Sequence, residues 1–255
     1  MLASLKRVFS VIATNADSLS DLRAYWHGGM IDIEGWVHPE LLPALEVLQQ
    51  TQQDRAIKGG ALEIGLHHAK FFVALLLMLN NGEKGVGIDV FEDQYKNVDG
   101  SGKGNLEIVE QNIKRYAHSD GDVRLMKRDT LSLNAKDRVD LLSQCGPFRL
   151  ISIDGGHTSV HAINDLLFAQ DILQNGGVVI LDDWVNSHWP GVMEGVAHLF
   201  TRHIPRVAPF AWGLNKLLLT DITHHQSYFE AFGKRYAGTK GFKLVELFHY
   251  ATVAF

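Results

Sequence analysis

The sequence predicts a doubly wound α/β protein, and three observations carry that prediction. Two short apolar runs stop abruptly at acid: Leu150-Ile-Ser-Ile-Asp154-Gly-Gly-His157 and Gly177-Val-Val-Ile-Leu-Asp182-Asp183-Trp184. Each is too short for a typical helix and unbroken enough for a strand buried on both faces of a parallel sheet. Between them Val160, Ile163, Leu166, Leu167 and Leu173 recur at roughly helical spacing, and Asn175-Gly176-Gly177 reads as a helix stop. Strand, helix, strand then recurs along most of the chain, the pattern of a parallel sheet wrapped by helices. A right-handed crossover sets both acidic ends on one rim, at the carboxyl edge where such sheets bind ligands.

The elements follow in order. Residues up to about Gln53 read as a helical preface: Ser18 to Trp26, a break at Gly28-Gly29, then His38-Pro39-Glu40 opening a helix through Leu48. After Gly59-Gly60, Ala61 to Gly65 is the first strand and Lys70 to Leu79 its helix. Gly85 to Asp89 is the second strand, and Asn105 to Tyr116 a helix with Leu106, Val109 and Ile113 on one face. Val123 to Lys127 is the third strand, running into Arg128-Asp129-Thr130, and the acid-tipped pair supplies the fourth and fifth. Pro190 to Phe200 gives a helix, Leu214 to Thr220 a sixth strand, His225 to Tyr236 a helix, and Lys243 to Phe255 a last extended segment. The preface is bounded at residues 1–54 and the α/β domain at 55–255.

Composition narrows the function. A formal charge of −5 and a pI near 6.2 give no basic footprint for nucleic acid or an anionic membrane. The single cysteine, Cys145, excludes an intrachain disulfide and any Cys-rich zinc site. The most apolar stretch, Phe71 to Leu79, is about half of the ~20 residues a membrane helix requires. Met1 to Ala13 imitates a signal peptide faintly, but its apolar core is too brief. The expected location is the cytoplasm.

The strand ends carry the chemistry. Glu63-Ile64-Gly65 closes the first strand where a residue without a side chain lets backbone amides approach a ligand. Asp89 ends the next strand, the place where nucleotide-type sheets offer a carboxylate to ribose hydroxyls, and Asp129 with Thr130 follows the third. Asp154, Asp182 and Asp183 converge if their strands are neighbours, and three converging carboxylates need a cation or a proton. No Gly-x-Gly-x-x-Gly is present, which disfavours a dinucleotide site, and Asp99-Gly-Ser-Gly-Lys-Gly104 lacks phosphate-loop spacing, so it reads as a loop beside the ligand.

Glu63-Ile-Gly65, Gly87-Ile-Asp89, Ile153-Asp-Gly-Gly-His157 and Leu181-Asp-Asp-Trp184 together resemble the successive motifs of class I S-adenosylmethionine-dependent methyltransferases. Within that class the last two resemble the branch of the macrocin-type sugar O-methyltransferases and, more distantly, the catechol O-methyltransferases. The resemblance covers roughly residues 55–255. It implies a Rossmann-like seven-stranded sheet whose last strand, here Lys243 to Phe255, is inserted antiparallel. It further implies that Glu63 and Gly65 line the methionine end of S-adenosyl-L-methionine, that Asp89 holds the ribose, and that Asp129 approaches the adenine. His67, Thr130 and Asp154 would also border the cofactor. Asp154, Asp182 and Asp183 would hold a metal, with Mg²⁺ the first choice. One departure stands out: the family's first motif usually has a second glycine where this chain has Ala69, preceded by His67 and His68.

Methyl transfer from a sulfonium is an in-line displacement, so the acceptor must be aligned and made nucleophilic. His157, just past Asp154, is the first candidate base, and His188 beyond the paired aspartates is its rival. His161, His224 and His225 read as structural. Candidate walls for a small-molecule hydroxyl acceptor are Tyr25-Trp26, Trp36, Trp184, Trp189 and Pro209-Phe-Ala-Trp212. The preface serves either as a lid or as a contact in a homo-oligomer. Two alternatives stay open: a metal-independent O- or N-methyltransferase, and a noncatalytic module that binds the cofactor or a nucleoside.

Overall fold

A computed structural model describes residues 19–117, 122–202 and 205–255. The signal-like stretch Met1 to Ala13, and Ser18 at the start of the first expected helix, lie outside them. Among the described residues nine strands form one sheet in the order β3-β2-β1-β4-β5-β7-β6-β9-β8. They are β1 (Gly60–Ile64), β2 (Gly85–Asp89), β3 (Val123–Lys127), β4 (Phe148–Ile153), β5 (Leu173–Leu181), β6 (Val207–Gly213), β7 (Lys216–Asp221), β8 (Lys243–Leu247) and β9 (Tyr250–Ala254). The first five pair in parallel, as their apolar runs require.

The expected seven-stranded unit is present as β3-β2-β1-β4-β5-β7-β6, but its inserted antiparallel strand is Lys216–Asp221, not the end of the chain. Val207–Gly213 is a strand that the sequence reading took for part of a wall. Pro209 conceals it, because proline cannot donate to a ladder and is tolerated only at an irregularity; the register shifts between Pro209 and Ala211. A two-residue turn joins β6 to β7, with Leu214 at φ 51 and Asn215 at φ 69, the left-handed pair that suits a hairpin. Lys243 to Phe255 is a second hairpin turning at Phe248-His249, and it extends the far edge of the sheet.

One helix boundary also moves. Leu173 and Asn175-Gly176-Gly177 belong to β5, because Gly176 (φ 80) absorbs a register shift opposite Phe148 and Leu150. The preceding helix therefore ends at Ile172, and Val160 and Leu167 on it are exposed.

Helices cover both faces. On one lie α1 (residues 19–27), α2 (Leu42–Asp54), α3 (Lys70–Leu77), α4 (Leu106–Tyr116) and α8 (His225–Tyr236), joined by Leu22, Trp26, Leu45, Phe72, Val109 and Tyr228 in one apolar cluster. On the other lie α5 (Ala135–Cys145), α6 (Ser159–Ile172) and α7 (Pro190–Arg202), packed through Leu141, Leu166, Ala169, Val196 and Leu199. The preface thus shares a core with α3 and α8 and carries its loop at 35–39 to the carboxyl edge of the sheet. No helix among the described residues is long and apolar enough to cross a membrane.

Candidate active site

A cavity of about 940 Å³ opens over the carboxyl ends of β1, β2, β4 and β5. Its wall contains Glu63, Gly65, His67, Asp89, Asp129, Thr130, Asp154, His157, Asp182 and Asp183, so one rim gathers every expected site residue except one. The exception is His188. It is exposed, does not line the cavity, and turns its ring back to the Asn186 side chain at 3.2 Å. The turn after Asp183 carries it outward.

The β1–β2 end of the cavity is built around a tight bend. Gly65 has φ +80, and a Cβ there would lie 1.8 Å from the backbone oxygen of Asp154, so only glycine lets β1 turn beside β4. The following loop is held by Asp89: one carboxylate oxygen accepts from Leu66 N (2.6 Å) and His67 N (3.0 Å), the other from Phe91 N (2.5 Å). Asp89 therefore braces the loop with three of its acceptor positions and keeps one for a ligand hydroxyl. Ala69 caps α3 with φ 66, so the residue standing where the family has glycine keeps glycine's left-handed conformation at the cost of strain. His67 (φ 50), Phe91 (φ 47) and Asp183 (φ 58) are likewise left-handed around the rim. Asp129 accepts from Leu131 N at 2.9 Å and fixes the turn carrying Thr130. His161 also lines the cavity, 8% exposed, with its Nδ1 2.8 Å from the hydroxyl of Thr158, which caps its helix.

The β4–β5 end of the cavity is crowded with charge. Burial would depress the His157 imidazolium, but hydrogen bonds and charge from Asp154 and Asp183 overcome it and push the pKa up to about 10. Its Nε2 lies 2.8 Å from Asp183 and 3.6 Å from Asp154, while its Nδ1 lies 2.9 Å from Asp99. Asp99 also accepts from the His157 backbone N–H at 2.8 Å and from Ser101; against burial, these bonds lower its pKa to about 2. Trp189 stacks on the His157 ring with centroids 4.5 Å apart. Asp154, His157 and Asp183 bring one ligand atom each within 4.8 Å of one another. Of the three aspartates expected to hold a metal, Asp154 and Asp183 thus lie beside the His157 ring, while Asp182 turns to Lys216. Asp182 accepts from Asp183 N at 2.8 Å through one oxygen and from the Lys216 ammonium through the other. Burial raises the Asp182 pKa to about 6 against the pull of Lys216.

Sequence reasoning missed two contributors. Asp99 sits in a glycine-rich loop without a strand, and Lys216 opens a strand whose place depends on the antiparallel insertion. Only Asp99 had a local signal, as the one acid in the loop expected beside the ligand. Among the proposed walls, Trp36 and Trp189 border the cavity, whereas Tyr25, Trp26, Trp184 and Phe210 are core.

The donor set suits both expected groups. Glu63 is fully buried at the cavity wall with Oε2 unpartnered, and burial and then Asp154 hold its carboxyl well above the usual range; it is a polar atom waiting for a ligand. Around His157 and Lys216 the carboxylates Asp99, Asp154, Asp182 and Asp183 outnumber the cations, as a site for a further positive charge requires.

Residues 62–184 match the family model of a methyltransferase domain. Among solved structures the chain is similar to the O-methyltransferase NovP, at 14% identity over 71% of this chain and 80% of that one, TM-score 0.57. It is similar to an O-methyltransferase from Bacillus cereus in complex with SAH, at 18% identity over 79% and 89%, TM-score 0.50. A third is MycE methyltransferase from the mycinamycin biosynthetic pathway, in complex with Mg, SAH and mycinamycin VI, at 15% identity over 80% of this chain and 54% of that one, TM-score 0.50. No curated protein matches the chain. The likeness in structure establishes the fold, one shared with O-methyltransferases, and the family model marks residues 62–184 of the chain as similar to a methyltransferase domain.

Proposed function

We propose that this protein is an S-adenosylmethionine-dependent methyltransferase that acts on a hydroxyl of a small molecule, a sugar, natural product or phenol, with help from a divalent cation at the acidic rim. The observation that carries the reading is the meeting of Asp154, His157 and Asp183 at one end of the cavity. The Mg bound with MycE and the O-methyltransferase identity of the other neighbours lend support. S-adenosyl-L-methionine supplies the methyl group on a sulfonium; Glu63, Gly65, His67, Asp89, Asp129, Thr130 and Asp154 border its place. Asp154 and Asp183 would hold the cation, which would lower the acceptor hydroxyl's pKa. Asp99 keeps the His157 Nδ1 proton in place, leaving Nε2 to take the acceptor's proton once Asp183 is otherwise engaged. The loop at 35–39 and Trp189 border the cavity and would wall off the acceptor, so that the preface, bounded at residues 1–54, would cover the domain at 55–255 through this loop.

One observation favours a second reading, a metal-independent enzyme. His157 already bridges Asp154 and Asp183, and Lys216 already neutralises Asp182. Methyl transfer to a panel of sugar and phenol hydroxyls, followed by mass spectrometry across a chelator titration, separates the two. Loss of product with chelator and its return with Mg²⁺ is the expected result; undiminished transfer hands the site to the metal-free reading. His157→Gln should bind S-adenosylhomocysteine nearly as the parent does while turnover falls on the order of 10²–10⁴-fold, the range for loss of a general base. Full turnover in that variant would remove His157 from the chemistry.

A further inference from the structure

Lys216 is 3% exposed, and the reaction as derived above has no use for it. A lysine is almost never buried without a partner, and this one has several. Its ammonium pairs with Asp182 and lies 4.9 Å from the centre of the Phe71 ring, a cation–π contact that replaces part of its lost hydration. It also feels the charges of Asp154 and Glu63. The antiparallel insertion of β7 puts it there: the strand starts at the rim where β5 ends, so its first side chain reaches Asp182, while His157 reaches Asp154 and Asp183.

The consequence lies in the carboxylate oxygens. Both oxygens of Asp182 are taken, one by Lys216 and one by the Asp183 backbone N–H. The freest is Asp154, whose side chain is 37% exposed and has His157 as its nearest charge at 3.6 Å. We propose that Lys216 is the resident cation of the site, held where the third carboxylate would otherwise turn to a divalent ion, so that the acidic rim folds without metal and a divalent ion meets Asp154 and Asp183 instead. The fixed ammonium stabilises the buried carboxylate and weakens the attraction of the rim for a second cation.

Manganese binding followed by electron paramagnetic resonance, with thermal unfolding in chelator, tests this on the whole protein. Lys216→Met should bind Mn²⁺ at least tenfold more tightly than the parent and should unfold at a lower temperature in chelator, with Mn²⁺ restoring it. Lys216→Arg, which keeps the charge, should follow the parent in both. If Lys216→Met does not fold in chelator, the double variant with Asp182→Asn removes both charges and should fold without metal. Failure of the double variant would make Lys216 a packing residue and overturn the proposal. So would a Lys216→Met protein with parental Mn²⁺ affinity, or with an unfolding temperature indifferent to metal. A parent that binds no Mn²⁺ beside a Lys216→Met variant that does would uphold Lys216 as the resident cation but overturn the placing of a divalent ion at Asp154 and Asp183, and with it the divalent-ion reading of the enzyme.

Discussion

The two edges of the sheet each bury a cation among acids, and they use it in opposite ways. At the amino edge Arg149, 1% exposed, meets Glu83 through Nε and Nη2, Gln49 and Gln52 through Nη1, and the carbonyl of Met78. Glu83 in turn accepts from the Gly59 and Asn80 amides. At the carboxyl edge Lys216 meets Asp182, while Glu63 Oε2 finds no partner and Asp154 stays partly open. The amino edge uses its buried charges to tie α2 and the loop before β2 to the strands. At the carboxyl edge, unfilled positions face a cavity. Burial of charge alone does not mark a functional site; incomplete pairing beside a cavity does.

The largest effect should come from breaking the closed cluster. Arg149→Met leaves Glu83 and two glutamines without their common partner, and removing one side of a buried pair costs about 3–5 kcal/mol. Denaturant unfolding should show that loss, while calorimetry on the folded variant should give parental affinity for S-adenosylhomocysteine, because the cavity lies at the other edge. A variant of parental stability, or one that has lost cofactor affinity, would dissolve the contrast between the edges.

How much of this was legible in the sequence follows the same division. The parallel core and its acid-tipped strands could be read because apolar runs ending in Asp89, Asp154 and Asp182 are local signals. The strand at Val207–Gly213 could not, since Pro209 and a bulge break its pattern and its partners are supplied only by β7 and β9. That omission shifted the inserted antiparallel strand to the end of the chain and left Lys216 as an ordinary residue of the sixth strand. The metal set changed for a related reason. Adjacent aspartates seem alike in sequence, but Asp183 takes φ 58 and the two carboxylates part, one to Lys216 and one to His157, Asn186 and Asn215.

A smaller effect sharpens the comparison inside the open edge. Asp89→Ala should weaken S-adenosylhomocysteine binding by roughly 1.5–3 kcal/mol, the scale of hydrogen bonds to a charged group. Asp89 braces Leu66, His67 and Phe91 as well as facing the cavity, so Asp89→Asn, which keeps one acceptor oxygen, should recover part of the loss. Calorimetry giving equal affinity for Asp89→Ala and the parent would remove Asp89 from the cofactor site.

The smallest effect is a slope. His157 holds its proton in the folded protein up to about pH 10, because the hydrogen bonds and charges of Asp154 and Asp183 outweigh its burial. Unfolded, it releases that proton near the ordinary histidine value of about 6.5. A pKa raised by folding contributes stability that is complete below the unfolded value and is lost as pH rises through the folded one. In metal-free buffer the unfolding free energy should therefore fall from about pH 6.5 towards pH 10, by no more than about 1.4 kcal/mol per pH unit for a single proton. His157→Gln should flatten that slope. So should a divalent ion at Asp154 and Asp183, since it would remove the charges that hold the proton. A slope in the parent that survives both treatments would mean that His157 and the two aspartates do not form one electrostatic unit, and the contrast with the closed Arg149 cluster would then rest on Lys216 and Glu63 alone.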